Sequence, residues 1–268
     1  MNLALHVTGR REDGRHDLDS LVCFAETGDV LAGEPDDALT LTVDGPEADG
    51  VPVEGNLVLR AARMLDPERG ARITLTKHLP AAAGIGGGSS DAAAALRLLS
   101  RLWNVPMPNA AETDALGSDV PVCLDPRPVR MRGAGERLDP VTLPPFAVVL
   151  VNPRAAVPTG SVFAGVERRD GAELEALPEG GFAALCAWLA RQRNDLAAPA
   201  VRIAPVIGTV LDALSDAPAH GMSGSGATCW ALFEGLAEAA SAAERLRAAH
   251  PDWWVAASLA SHATRSTT

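Results

Sequence analysis

No apolar run in this chain reaches the ~20 residues needed to cross a bilayer. The N-terminus has no charged segment followed by a long apolar one, so no signal peptide is expected. Basic residues are in deficit, with 23 Lys and Arg against 34 Asp and Glu and a net charge of −11. That balance excludes a nonspecific nucleic-acid binder, whose electrostatic footprint is basic. It leaves room for a phosphate ligand, which needs only local positive potential. The four cysteines, Cys23, Cys123, Cys186 and Cys229, are far apart and form no Cys-x-x-Cys, so neither a zinc site nor a redox motif is expected. Three of them sit in apolar runs, as reduced core thiols of a cytoplasmic protein do. Tyrosine is absent and lysine occurs once, as Lys77. No internal repeat or low-complexity linker is found. At 268 residues with 47% apolar content, the chain can bury a large core in one or two domains.

What is present is concentrated between Lys77 and Trp103. Before this stretch, Ala71 to Thr76 alternates as a half-buried strand does. Within it, Ala92, Ala95, Leu96, Leu99, Leu102 and Trp103 recur at helical spacing. Between strand and helix lie Gly84, Gly86, Gly87 and Gly88, then Ser89, Ser90 and Asp91. Glycines let the backbone approach a ligand closely. A helix start presents unpaired N–H groups and a partial positive charge. A glycine loop that opens into a helix is therefore an anion site, most often for phosphate. The hydroxyls of Ser89 and Ser90 suit phosphate oxygens or a metal ion. The alternative is a turn capped by Ser90 or Asp91.

Two familiar phosphate loops do not fit. A P-loop needs a lysine after its glycines, and none follows here. A dinucleotide fingerprint counted from Gly84 ends on Ser89 instead of glycine. The run from Pro80 to Ser90 instead resembles the second motif of the galactokinase, homoserine kinase, mevalonate kinase and phosphomevalonate kinase superfamily, the GHMP kinases. Gly84-Ile-Gly-Gly-Gly-Ser-Ser-Asp-Ala-Ala looks most like the diphosphocytidyl-methylerythritol kinases of non-mevalonate isoprenoid biosynthesis.

The rest of the chain bears on that resemblance in order. Asn2 to Val7 and Leu18 to Ala25 read as strands, and Thr8 to His16 as a loop. The block from Asn2 to Leu21 resembles the opening of the same family, in which a lysine two places before the asparagine and a Gly-Tyr-His triplet contact substrate. Asn2 matches the asparagine, and Gly14 and His16 match the ends of the triplet. Arg15 replaces the family tyrosine, and a guanidinium plane can also stack on a base. The family lysine would fall one residue before Met1. We therefore expect the natural start to lie upstream, and the chain as written to bind both ligands yet turn over poorly, since loss of such a fixed charge costs ~10²–10³ in rate.

Leu39 to Val43 reads as a strand and Asn56 to Leu65 as an amphipathic helix with Asn56 at its N-cap. By resemblance Asn56 borders the adenine, and the cap-only reading stands beside that. Residues 104 to 117 are a polar connection into a short helix. In Leu116-Gly-Ser-Asp-Val-Pro, Asp119 precedes an apolar run read as a strand, where a carboxylate suits a general base. The match to the family's Leu-Gly-Ala-Asp-Val-Pro makes Asp119 the catalytic residue by resemblance. Further strands are expected at 127–132 and 146–151, with a turn at Gly133-Ala-Gly-Glu. Asn152 to Phe163 resembles the family's Asn-Pro and Val-Pro-Thr segment, which places Thr159 and Phe163 at the nucleobase, Phe163 facing Arg15 across the ring. Residues 165–181 read as an exposed connection, 182–191 and 199–214 as helices, 228–233 as a strand, 237–249 as a helix and 253–259 as a strand. Ser223-Gly-Ser-Gly resembles the superfamily's third motif, which packs beside the phosphate loop. The tail from Ser261 to Thr268 is expected to be disordered.

The resemblance spans residues 2 to 259. It implies an α+β, two-domain GHMP kinase fold with ATP and substrate in the inter-domain cleft, residues 1–145 forming the ATP-binding domain and 146–268 the C-terminal domain. ATP would contact Asn56, Lys77, Pro80, Ala81, Ala82, Ala83, Gly84, Ile85, Gly86, Gly87, Gly88, Ser89, Ser90, Gly224 and Ser225, with Mg²⁺ as cofactor and no metal ligand assigned. Asn2, Arg15, His16, Thr159 and Phe163 would hold the substrate, a small cytidine diphosphate-linked polyol. No nucleic-acid or membrane partner is expected. Asp119 would orient or deprotonate its C2 hydroxyl. A homoserine- or mevalonate-type kinase and an inactive nucleotide-binding paralogue remain the alternatives.

Overall fold

The computed structural model describes residues 1–81 and 83–260; Ala82 and the expected tail from Ser261 lie outside the described residues. The elements run β1 (Asn2–Arg10), β2 (His16–Val22), β3 (Val30–Pro35), β4 (Leu39–Asp44), α1 (Leu57–Leu65), β5 (Ala71–Thr76) and α2 (Gly87–Trp103). They continue with α3 (Ala110–Thr113), α4 (Val120–Cys123), β6 (Val129–Gly133), β7 (Arg137–Pro140), β8 (Ala147–Asn152) and α5 (Thr159–Ala164). Last come α6 (Phe182–Leu189), α7 (Ala197–Ile203), α8 (Val206–Ala213), β9 (Ala219–Met222), β10 (Cys229–Phe233), α9 (Leu236–Ala249) and β11 (Trp254–Leu259). The expected α+β class holds.

Two compact units interleave along the sequence. One comprises Met1–Thr27, Ala83–Ile85 and Pro126–Thr268; the other comprises Gly28–Ala82 and Gly86–Asp125. The first carries two antiparallel four-stranded sheets, ordered β1-β2-β6-β7 and β11-β8-β10-β9. All six residues of β8 are buried, as the uninterrupted Ala-Val-Val-Leu-Val sequence requires of a central strand covered on both faces. Val149, Val151 and Ala231 from one face join Ile207, Val210, Ala239 and Ala243 from the helices. Val148, Leu150 and Leu232 join Leu185 and Trp188 on the other.

The second unit is built on the three-stranded sheet β3-β5-β4, in which β5 pairs antiparallel with β3 and parallel with β4. The apolar stripe of α2, with Ala92, Ala95, Leu96 and Leu99 buried, packs on α1, β3 and α4. Asn56 caps α1, its side chain accepting from the Val58 N–H at 3.0 Å.

Several local expectations are corrected. The apolar run after Asp119 is not a strand but the single helical turn α4, because Pro121 in the first turn needs no N–H partner and brings a helical φ. The expected 199–214 helix is split into α7 and α8 at Pro205, which serves as the N-cap of α8. The segment Thr8–Arg10, expected in a loop, continues β1, where Arg10 pairs with His16. Strand β3, at a sheet edge and carrying Gly33 and Pro35, gave no strand signal. The four-residue edge strands β7 and β9 were also unread. The connection 165–181 is mostly exposed, but Leu174 is buried among Trp188 and Leu185. All four cysteines are free and buried, as expected of core thiols. Among the described residues, no helix is long and apolar enough to cross a membrane.

Candidate functional site

The glycine loop turns into α2 through two left-handed residues, Gly84 at φ +70° and Gly86 at φ +73°. Side chains at these angles would cost strain, which is the local reason for glycine there. Gly86 is the N-cap of α2, and no side chain caps the helix, so neither Ser90 nor Asp91 fills the role considered for it. The first N–H groups of this 17-residue helix are thus left to a ligand or solvent. Ser89 and Ser90 are half-exposed in that first turn. The Ser90 hydroxyl also lies 3.5 Å from the Cys123 thiol.

The segment 83–85 belongs with the Ser223–Thr228 turn. The Ser223 hydroxyl donates to the Gly84 carbonyl at 3.0 Å, and the Thr228 N–H donates to the Ala83 carbonyl at 3.2 Å. A Cβ on Gly84 would stand 2.2 Å from the Gly226 carbonyl oxygen, so the two glycine turns touch backbone to backbone. The expected packing of the third motif beside the loop is therefore observed. Asn2 joins them: its N–H donates to the Ser223 hydroxyl at 3.0 Å, and its side-chain amide donates to Ser20 at 2.8 Å.

Helix α5 links this turn to an aromatic pair. Thr159 and Ser225 bring their hydroxyls within 3.0 Å of each other. One turn along the same helix, Phe163 stacks on His16, with centroids 5.0 Å apart and planes at 24°. Arg15, expected across the nucleobase from Phe163, bonds Asp13 through its guanidinium at 2.9 Å. Nε2 of His16 is buried with no hydrogen-bond partner among the described residues. Burial, followed by the nearby Arg169 and Arg10, holds the His16 pKa below the ordinary histidine value.

Asp119 is the N-cap of α4, yet its side chain makes no capping bond. The residue is solvent-accessible in area, but surrounding protein desolvates the carboxyl and raises its pKa. Lys77, expected at the nucleotide, is buried: its Nζ pairs with Asp29 and, at 3.1 Å, with Asp91. The Asn56 side chain is engaged by Val58 and by the Pro52 carbonyl at 2.9 Å. Pro80 and Ala83 are buried, Ala81 is exposed, Ile85, Gly87 and Gly224 are half-buried, and Gly88 is exposed; Ala82 lies outside the described residues. Among the described residues, no group of three or more His, Cys, Asp or Glu side chains is arranged to hold a metal ion.

Sequence reasoning missed Asn194, whose amide donates to the Met222 and Gly224 carbonyls at 2.8 and 2.9 Å and so shapes the second turn. The available signal was an asparagine just before a helical run, and its Oδ1 indeed accepts the Leu196 N–H at 2.9 Å. It also missed Arg97, which lies mid-helix with nothing in its neighbours to mark it.

The family model described as GHMP kinases N terminal domain matches residues 56–124, and the one described as GHMP kinases C terminal matches residues 174–252. The chain is 53% identical to the 4-diphosphocytidyl-2-C-methyl-D-erythritol kinase of Ruegeria pomeroyi, over 96% of this chain and 95% of that protein. It is 56% identical to the protein of the same name from Dinoroseobacter shibae, over 96% of this chain and 91% of that protein. A crystal structure of 4-(cytidine 5'-diphospho)-2C-methyl-D-erythritol kinase is similar with a TM-score of 0.79 and 37% identity, covering 97% of this chain and 96% of that one.

Proposed function

The chain belongs to the GHMP kinases and, within them, to the 4-diphosphocytidyl-2-C-methyl-D-erythritol kinase family, and from that premise we propose how its residues divide the work. It is an ATP-dependent small-molecule kinase. It phosphorylates the 2-hydroxyl of 4-diphosphocytidyl-2-C-methyl-D-erythritol, a step of non-mevalonate isoprenoid biosynthesis.

The observation that carries the residue assignment is the uncapped start of α2 behind two left-handed glycines. Its N–H groups and the Ser89 and Ser90 hydroxyls take the ATP phosphates, with Pro80, Ala81, Ala83 and Ile85 shaping the loop. Gly224 and Ser225 line it through the second turn, and Asn56 borders the adenine. Mg²⁺, brought in with the nucleotide, would supply charge neutralisation on the phosphates. Asp119 accepts the proton of the acceptor hydroxyl as that oxygen bonds to the γ-phosphorus and the bond to the leaving ADP oxygen breaks. Its raised pKa favours a proton acceptor over a permanently spent carboxylate. The cytosine stacks at Phe163 and His16, where Nε2 of His16 is free to bond it. Thr159, Asn2 and Arg15 surround the diphosphocytidyl group.

We retain 1–145 and 146–268 as the sequence domains; the two family matches fall one within each. Free buried thiols suit a reducing compartment, and we place the protein in the cytoplasm. The test is a coupled ADP-release assay with three acceptors offered in parallel: the diphosphocytidyl polyol, homoserine and mevalonate. Turnover with the first alone is expected, and preference for either of the others overturns the substrate assignment.

A further inference from the structure

The chain's one lysine is spent on two carboxylates and not on a ligand. Lys77 follows β5 directly, and its N–H donates to the Asp44 carbonyl at 2.7 Å, which fixes the point where the chain leaves the sheet. Its ammonium group meets Asp29, from the segment before β3, and Asp91, from the first turns of α2. All three side chains are nearly sealed from solvent, with Lys77 5%, Asp29 1% and Asp91 10% exposed. Asp29 uses its other oxygen on the backbone, accepting the His78 N–H at 2.6 Å and the Leu79 N–H at 2.9 Å. Its Oδ2 lies 3.9 Å from where a Cβ on Gly87 would stand, so the same carboxylate sits against the first residue of α2. The glycine loop lies between Thr76, where β5 ends, and Gly87, where α2 begins, and its first foot carries the His78 and Leu79 N–H groups that bond Asp29. The three charged groups therefore tie both of its feet to one point.

Buried charges of this kind are poor sources of stability, since desolvation offsets the attraction, and apolar replacements are often as stable. What they supply is a penalty on displacement: moving the ammonium away leaves a buried carboxylate without its partner. We propose that Lys77, Asp29 and Asp91 form a clasp that sets the spacing of the two feet of the phosphate loop and the aim of the first N–H groups of α2, so that Lys77 is a positioning residue for ATP and does not touch the phosphates. The proposal rests on the reading of that loop as the nucleotide site.

The test is a double-mutant cycle on Lys77→Met and Asp91→Asn, read by titration with a fluorescent ATP analogue and by separate KM values for ATP and for the diphosphocytidyl acceptor. Each single variant is expected to raise the nucleotide Kd and the ATP KM about tenfold, leaving the acceptor KM unchanged. The double variant is expected to be no weaker than the weaker single, because the two residues act through one contact. Additive losses would mean that Lys77 meets ATP on its own, and would overturn the clasp. A lowered unfolding midpoint with unaltered nucleotide affinity would overturn it as well, by reducing the cluster to packing. Asp91→Asn keeps shape and removes one charge, so it serves where Lys77→Met fails to fold. If the parent protein binds the analogue but leaves the diphosphocytidyl polyol unphosphorylated, the substrate reading falls while the cycle still decides the clasp.

Discussion

Arg97, in the body of α2, donates from Nη1 to the Cys123 carbonyl at 2.8 Å and to the Leu124 carbonyl at 3.2 Å. One helix therefore begins at the glycine loop and, further along, holds the C-terminal carbonyls of α4, the turn that Asp119 opens. Those carbonyls have no intrahelical partners, and a cation there satisfies them and opposes the helix dipole. Arg97→Met should cost about 1–3 kcal/mol of stability through the orphaned carbonyls. It should also lower kcat while sparing the KM for ATP. Arg97→Lys, able to reach one carbonyl, should recover part of kcat. Steady-state kinetics beside urea unfolding checks both.

Asp119→Asn removes the proposed proton acceptor and keeps the shape. We expect kcat to fall by ~10²–10⁴ with nucleotide affinity intact. Quench-flow detection of ADP, set beside an ATP-analogue titration, separates lost chemistry from lost binding. A variant with parental kcat would remove Asp119 from the mechanism.

Phe163→Ala strips one face of the stack against His16. Competition by CDP should weaken by about 1–3 kcal/mol, with ATP affinity unaffected. The His16 ring carries its own pH signature. Burial lowers its pKa, so the imidazole is neutral at pH 7 and takes a proton only in solutions more acidic than an ordinary histidine requires. CDP affinity should be flat around neutrality and decline only in that acid range, and His16→Gln should flatten the decline. Calorimetric titrations across pH provide the measurement.

Asp91 should give a stability signal of unusual sign for a carboxylate. Burial raises its pKa from 3.8 to about 6, with Lys77 pulling it down and Asp29 pushing it up. Between those two values the folded protein holds a proton that the unfolded chain has released. Stability from this group is therefore present in acid and is lost as the pH rises through the window. The unfolding free energy of the parent relative to Asp91→Asn should fall from about pH 4 to about pH 6 and level off above. Urea denaturation of the pair at several pH values tests the slope.

Much of this was legible because the relevant signals are local. The glycine cluster, the strand before it and the apolar stripe after it all lie within Ala71–Trp103, and each matched an element of the structure. The cap at Asn56 was equally local, being one side chain and an N–H two residues on. Contacts between distant segments were the ones hidden. Nothing near Lys77 announces that Asp29 will meet it, and nothing near Arg97 points to Cys123. The stack of Phe163 on His16 joins residues 147 positions apart, and nothing near either one marks the other as its neighbour. The turn α4 was misread because four apolar residues are too few to carry a period, and Pro121 was the better guide.

The burial of the chain's one lysine also makes a single peptide bond diagnostic. An endoprotease that cleaves only after lysine has one target in the whole sequence, Lys77–His78. The residues on both sides of that bond are held, Lys77 by its N–H to Asp44 and His78 by its N–H to Asp29. Digestion must then wait for this corner to open, and the appearance of two fragments times that opening. Nucleotide that steadies the loop should slow the cut, so a gel lane becomes a gauge of ligand occupancy without any label.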